Sequence, residues 1–153
     1  MIPDALPADA EALLAACRAK GIKRATAESC TGGLIAAALT TIAGSSDVVD
    51  RGFVTCSNET KNELIGVPMP LIQAHGTVSD EVARAMAEGA LARSRATIAG
   101  VTGPGGGTAE KPVGLVRFGL AEKFQPVTSE RHVLPGIRAA TVAHAFAMIR
   151  ARV

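Results

Sequence analysis

The chain has 153 residues, a formal net charge of +2, only four Phe and neither Trp nor Tyr. That length suits one domain spanning residues 1–153, with an aliphatic, closely spaced core. Weak, scattered charge and the lack of stacking rings argue against nucleic acid as a partner, and no apolar run approaches the roughly 20 residues of a membrane span. Cys17, Cys30 and Cys56 are an odd number without CxxC spacing, which disfavours a disulfide framework or a zinc site and fits reduced thiols. Pro3 and Pro7 interrupt the N-terminus, which lacks the order of a signal peptide, so the expected location is cytoplasmic.

Apolar spacing predicts a helix over Ala8 to Lys20, followed by a short strand from Ile22 to Glu28. Thr31 to Ile42 reads as a small-residue helix ended by Gly44. Val48 to Thr55 is a second strand, and Asn58 to Ile65 a short helix stopped by Gly66 and Pro68. A further helical turn is expected over Pro70 to His75. Ser79 then caps a helix that runs to about Arg93, with Asp80 and Glu81 favourable in its first turn. Ala96 to Thr102 is a third strand, residues 103–112 a glycine-rich loop, and Val113 to Ala121 and Val127 to Leu134 the last strands. About five residues join that last pair, so they form an antiparallel hairpin. Gly136 precedes a final helix to about Arg150. Alternating strands and helices give an α/β fold, layered α/β/α around a mixed sheet of about five strands.

Three polar loops, each after a strand, carry the chemistry. The first, Ala27-Glu28-Ser29-Cys30-Thr31-Gly32-Gly33, joins a strand to a helix, where N–H groups and the positive helix end can meet an oxyanion or a phosphate. Ser29 reads as a nucleophile or as a helix N-cap; Thr31 is a second capping candidate, and Gly32 and Gly33 open the backbone to a ligand. The second loop runs from Thr55 to Lys61. Lys61 lies in the first turn of a helix, where the dipole disfavours positive charge; partly desolvated, it would serve as a base better than His75, His132 or His144. The competing reading is a solvated surface lysine. Cys30 and Cys56 are rival nucleophiles or packing residues. The third loop, Gly103-Pro104-Gly105-Gly106-Gly107, matches neither phosphate-binding fingerprint but permits close backbone approach. Arg138 at the start of the last helix hints at an anion. No cluster of His, Cys, Asp and Glu has metal-ligand spacing, and no metal or other cofactor is expected.

These stretches resemble the C-terminal domain of the CinA competence/damage-inducible proteins, whose stand-alone members are nicotinamide-nucleotide amidohydrolases. The matching segments are AESCTGG (27–33), IAGSSDVVDRGFVT (42–55), SNETKNELIGV (57–67), HGTVSDEVARAMAEGA (75–90), GVTGPGGG (100–107) and KPVGLVRFGLA (111–121), in the family's order over most of the chain. The resemblance implies a three-layer α/β/α sandwich and hydrolysis of the carboxamide of nicotinamide mononucleotide to nicotinate mononucleotide and ammonia. It implies Ser29 as nucleophile and Lys61 as general base. The expected substrate contacts are Cys30, Thr31, Gly32, Gly33, Ser45, Ser46, Cys56, Gly103, Gly105, Gly106 and Arg138. Where the family usually carries Tyr, this chain has Cys56, which points to an altered pocket or another amide. The expected partners are a small-molecule nucleotide and a second copy in a homodimer. The non-catalytic alternative is a nucleotide-binding or competence-related interaction module; ammonia release separates the two.

Overall fold

The computed structural model describes residues 6–105 and 108–153, with residues 101–105 described by backbone alone. In chain order the elements are α1 (Leu6–Ala19), β1 (Arg24–Glu28), α2 (Leu34–Thr40), a 3-10 turn (Ser45–Asp47), β2 (Val49–Val54), α3 (Asn58–Ile65), α4 (Met69–His75), α5 (Asp80–Ala92), β3 (Ile98–Gly105), β4 (Leu115–Glu122), β5 (Thr128–Val133) and α6 (Ile137–Arg150). The sheet runs β2-β1-β3-β4-β5. β1 pairs in parallel with β2 and β3, while β4 is antiparallel to β3 and β5 to β4. This is the mixed five-stranded sheet and terminal hairpin that the spacing predicts.

Helices cover both faces. On one, α1, α2 and α6 bury Leu13, Leu14, Ile35, Leu39, Val142 and Phe146 against Ile98, Phe118 and Leu120. On the other, Ile65 of α3, Ile72 of α4 and Val82, Met86 and Ala90 of α5 pack on Ala25, Ala27, Ala99 and Ala121. Ala25, Ala99 and Ala121 sit in register across three strands. That row of small side chains lets α5 lie close to the sheet. A Cβ on Gly119 of β4 would stand 2.4 Å from the carbonyl oxygen of Ala83, and one on Gly89 of α5 would stand 1.8 Å from that of Ile65. The alanine content of the sequence is thus a packing requirement: short side chains seat α5 on the sheet and α3 on α5. Among the described residues no helix is long and apolar enough to cross a membrane.

Most boundaries move by one or two residues from the sequence reading, and two move by three. α2 starts at Leu34 rather than Thr31, because Gly32 (φ 59°) and Gly33 (φ 97°) both take left-handed conformations that end the preceding turn before the helix begins. β3 continues to Gly105, so the expected glycine-rich loop is shorter: Gly103, Pro104 and Gly105 pair with Arg117, Val116 and Leu115.

The connections place the site. After β1 the chain turns onto the face of α1, α2 and α6; after β2 it turns onto the face of α3, α4 and α5. Neighbouring parallel strands whose following loops leave toward opposite faces open a crevice at their carboxyl ends, the usual ligand position in an open α/β sheet. Ser29 follows β1 and Lys61 lies in the helix that follows β2.

Candidate active site

Ser29 is the first residue beyond β1, half-buried at the mouth of this crevice. The strand pairing continues one step past Glu28, where the Thr55 N–H donates to the Glu28 carbonyl at 2.8 Å. This bond holds the two loops side by side. The second loop leads at once into α3, whose start is well defined: the Ser57 hydroxyl caps it by accepting the Thr60 N–H at 3.1 Å, and Thr77 donates to Asn58 Oδ1 at 2.8 Å. Gly66, in the left-handed region at φ 69°, closes the helix after two turns.

Lys61 points inward from the first full turn of α3 and is 0% exposed. Its Nζ donates to the carbonyls of Thr55 (2.6 Å), Cys56 (3.2 Å) and Ser57 (3.5 Å), and lies 3.5 Å from Ser29 Oγ. Burial pushes its pKa below the usual lysine value, with Cys56 opposing. As an ammonium the group can donate to all three carbonyls; once neutral, its two N–H bonds would stay with Thr55 and Cys56, the two shortest contacts, and its lone pair would face the Ser29 hydroxyl. The solvated-lysine alternative is excluded by this burial.

The side-chain cap on the Ile35 and Ala36 N–H groups comes from neither Ser29 nor Thr31. Glu28, wholly buried at 0% exposure, does that work. Its carboxylate accepts the N–H of Ile35 and of Ala36, both at 2.9 Å, the Thr31 hydroxyl at 2.7 Å and the Thr26 hydroxyl at 3.3 Å. A carboxylate at a helix N-terminus is favoured by dipole and by unpaired N–H groups alike. Ser29 is thereby relieved of capping and left facing Lys61. The same bonds correct the expectation for the oxyanion: the first N–H groups of α2 are already committed, that of Leu34 to the Thr31 carbonyl and those of Ile35 and Ala36 to Glu28. The sequence reading overlooked Glu28, whose capping position arises only once Gly32 and Gly33 delay the helix to Leu34.

The other expected contacts divide by position. Thr31 is buried against Glu28, Gly32 and Gly33 form the turn, and Cys30 is half-buried beside Ser29. Cys56 is exposed, its thiol 3.9 Å from the Ser29 carbonyl oxygen. Gly103 and Gly105 end β3 at the same sheet edge, and Gly106 lies outside the described residues. Arg138 is exposed at the start of α6, which follows the carboxyl end of β5 at that edge. Ser45 and Ser46 do not join the group: they precede β2, at the opposite edge of the sheet. The three histidines have other partners: His75 faces Glu81, and His132 and His144 face Glu130. Glu130, His132 and His144, which have no metal-ligand spacing in the sequence, converge where β5 meets α6.

Residues 8–153 match the model of the CinA C-terminal domain. The chain belongs to the CinA C-terminal domain family. A crystal structure of the competence/damage inducible protein CihA from Agrobacterium tumefaciens is similar, with a TM-score of 0.92 and 44% identity over 99% of this chain and 97% of that one. This CinA domain is also 50% identical over 130 residues to a protein named nicotinamide-nucleotide amidohydrolase PncC from Enterobacter agglomerans, covering 82% of this chain and 79% of that protein. A CinA-like protein from Mycolicibacterium paratuberculosis is 58% identical over 104 residues, 65% of this chain but 24% of its own length. The chain spans 34% and 26% of the length of two other curated relatives, so the CinA domain also occurs as the smaller part of longer proteins.

Proposed function

We propose that this CinA domain hydrolyses the carboxamide of nicotinamide mononucleotide to nicotinate mononucleotide and ammonia, with Ser29 as nucleophile and Lys61 as general base. The observation that carries the reading is the wholly buried Lys61 amine 3.5 Å from Ser29 Oγ, at the carboxyl edge of two parallel strands. The named amidohydrolase at 50% identity supports the reaction class.

Neutral Lys61 takes the Ser29 proton as Oγ attacks the amide carbon, giving a tetrahedral oxyanion. A backbone N–H aimed at such an oxyanion is worth about 3–4 kcal/mol where it has been measured. The lysine ammonium then returns its proton to the departing nitrogen. The C–N bond breaks, ammonia leaves and an acyl-Ser29 ester remains. Water, deprotonated by Lys61, attacks that ester; Ser29 regains its proton and the nucleotide carboxylate departs. Throughout, the Thr55 and Cys56 carbonyls hold the amine in place and stabilise its charged form, so the proton moves over a short fixed path.

Cys56 favours a second reading within the same chemistry. Exposed beside Ser29, where the family is expected to present Tyr, it leaves a smaller side chain at the rim, which suits a different amide. A panel of nicotinamide mononucleotide, nicotinamide riboside, NAD and free nicotinamide, assayed for ammonia, decides between them. The mononucleotide should give the highest kcat/KM. Preference for another member would overturn the substrate, and ammonia from none would overturn the reaction in favour of a binding module.

A further inference from the structure

Glu130 and His132 lie two residues apart on β5 and so share a face of the sheet. His144 reaches the same point from α6. The Nε2 atoms of both imidazoles stand 2.8 Å from one oxygen of Glu130, and the three potential ligand atoms all lie within 4.8 Å of one another. The imidazole centroids are 4.1 Å apart, and the buried ring of Phe118 backs both, at 5.7 and 4.6 Å. Glu130 is exposed and the two histidines half-buried, so the cluster has a packed floor and an open mouth.

We propose that Glu130, His132 and His144 form a binding site for a divalent transition-metal ion, which clamps the edge strand β5 to α6. Two nitrogens and one carboxylate oxygen suit a borderline ion such as Zn²⁺ and disfavour Mg²⁺ or Ca²⁺, which take oxygen ligands. With metal–ligand distances of roughly 2.0–2.1 Å, ligand atoms in a tetrahedral site stand about 3.3 Å apart. Rotation of the exposed Glu130 side chain supplies the small opening required. Three protein ligands leave a fourth position for water at the open mouth. Rings held by a strand, a helix and a buried aromatic lose little freedom on binding. The site is separate from the proposed chemistry: β1 and β5 are three strands apart, about 14 Å at the usual spacing.

The test is titration of the metal-stripped full chain with Zn²⁺, in parallel with Co²⁺, on a background in which Cys30 and Cys56 are replaced by Ser. One equivalent should bind, the Co²⁺ spectrum should lack a thiolate charge-transfer band, and Tm should rise with the logarithm of Zn²⁺ concentration. His132→Gln/His144→Gln should abolish both binding and the Tm rise; Glu130→Gln, which keeps the side-chain shape, should weaken binding. A flat titration, or binding that survives the double substitution, would overturn the assignment. Should the double variant be poorly folded, Glu130→Gln alone decides: undiminished Zn²⁺ affinity in that variant contradicts the site. These readouts are independent of ammonia release, so failure here leaves the proposed amidohydrolase reaction untouched, and the reverse holds too.

Discussion

A single carboxylate determines what the serine can do. Glu28 takes the N–H groups of Ile35 and Ala36 in the first turn of α2 and the Thr31 hydroxyl, and so it replaces the hydroxyl caps that such a helix normally recruits. Hydrogen bonds to a charged group are worth about 1.5–3 kcal/mol each, and a buried donor left unpaired is penalised in its own right. Glu28→Ala should therefore destabilise the fold by at least about 3 kcal/mol, read as a fall in the denaturant midpoint. Glu28→Gln, which can still accept through its amide oxygen, should lose less. A fall below about 1 kcal/mol for the alanine variant would mean that water or Thr31 caps the helix as well as Glu28 does. Lys61 shows the complementary case. Its three carbonyl partners come from the loop immediately before α3, so the same short segment both buries the amine and orients it.

At the scale of elements, the position of Lys61 depends on how closely α3 approaches α5. The contact is made through backbone: Gly89 lies under the Ile65 carbonyl, with no room for a methyl group. Gly89→Ala should push α3 outward, lengthening the 3.5 Å separation of Lys61 from Ser29, and overpacking of this kind typically costs about 1–3 kcal/mol. The variant should lose activity out of proportion to its loss of Tm, since misplacement of a base by 1 Å can reduce rates about 100-fold. Activity that simply follows the folded fraction would contradict this coupling. Much of this architecture was legible in the sequence, because its signals are local. Gly66 ends α3, Ser79 caps α5, and the short connection before Val127 forces a hairpin. The pairing of Ser29 with Lys61 was implied by the family resemblance, and their 3.5 Å approach follows from each lying just beyond the end of one of two adjacent parallel strands. Glu28 was not legible, because its capping role depends on two consecutive left-handed glycines that delay the helix. Ser45 and Ser46 went astray because a matching segment carries no information about which end of β2 it occupies. The Glu130, His132 and His144 cluster stayed hidden because strand and helix must both be folded before the chain between them brings His144 back to His132.

For the molecule as a whole, a wholly buried lysine is a penalty on folding that pH can lift. The Lys61 pKa is lowered in the folded chain, while in the unfolded chain it returns to about 10.4. Below the folded value both states are protonated and the burial penalty is complete. As pH rises through the folded value the native state sheds its proton while the unfolded state keeps one. Stability gained from this group therefore rises with pH until the unfolded lysine also titrates, with a slope of at most about 1.36 kcal/mol per pH unit. Denaturation measured over this alkaline range should show the wild type gaining on Lys61→Met as pH increases. A constant difference between the two would mean that the amine stays charged in the folded protein.

The central claim, that Ser29 and Lys61 work as a nucleophile and its base, is tested most directly by ammonia release from nicotinamide mononucleotide as a function of pH. The wild type, Ser29→Ala, Lys61→Arg and Cys56→Ser should be compared, each verified as folded. The wild-type rate should rise with pH through a single ionisation below the usual lysine value of about 10.4. Ser29→Ala should be inactive, and Lys61→Arg nearly so, because an arginine keeps the charge but cannot give up its proton. Cys56→Ser should retain turnover and the same pH limb. A Lys61→Arg enzyme with near-normal activity and an unchanged profile, or a Ser29→Ala enzyme that still turns over while Cys56→Ser does not, would contradict the account.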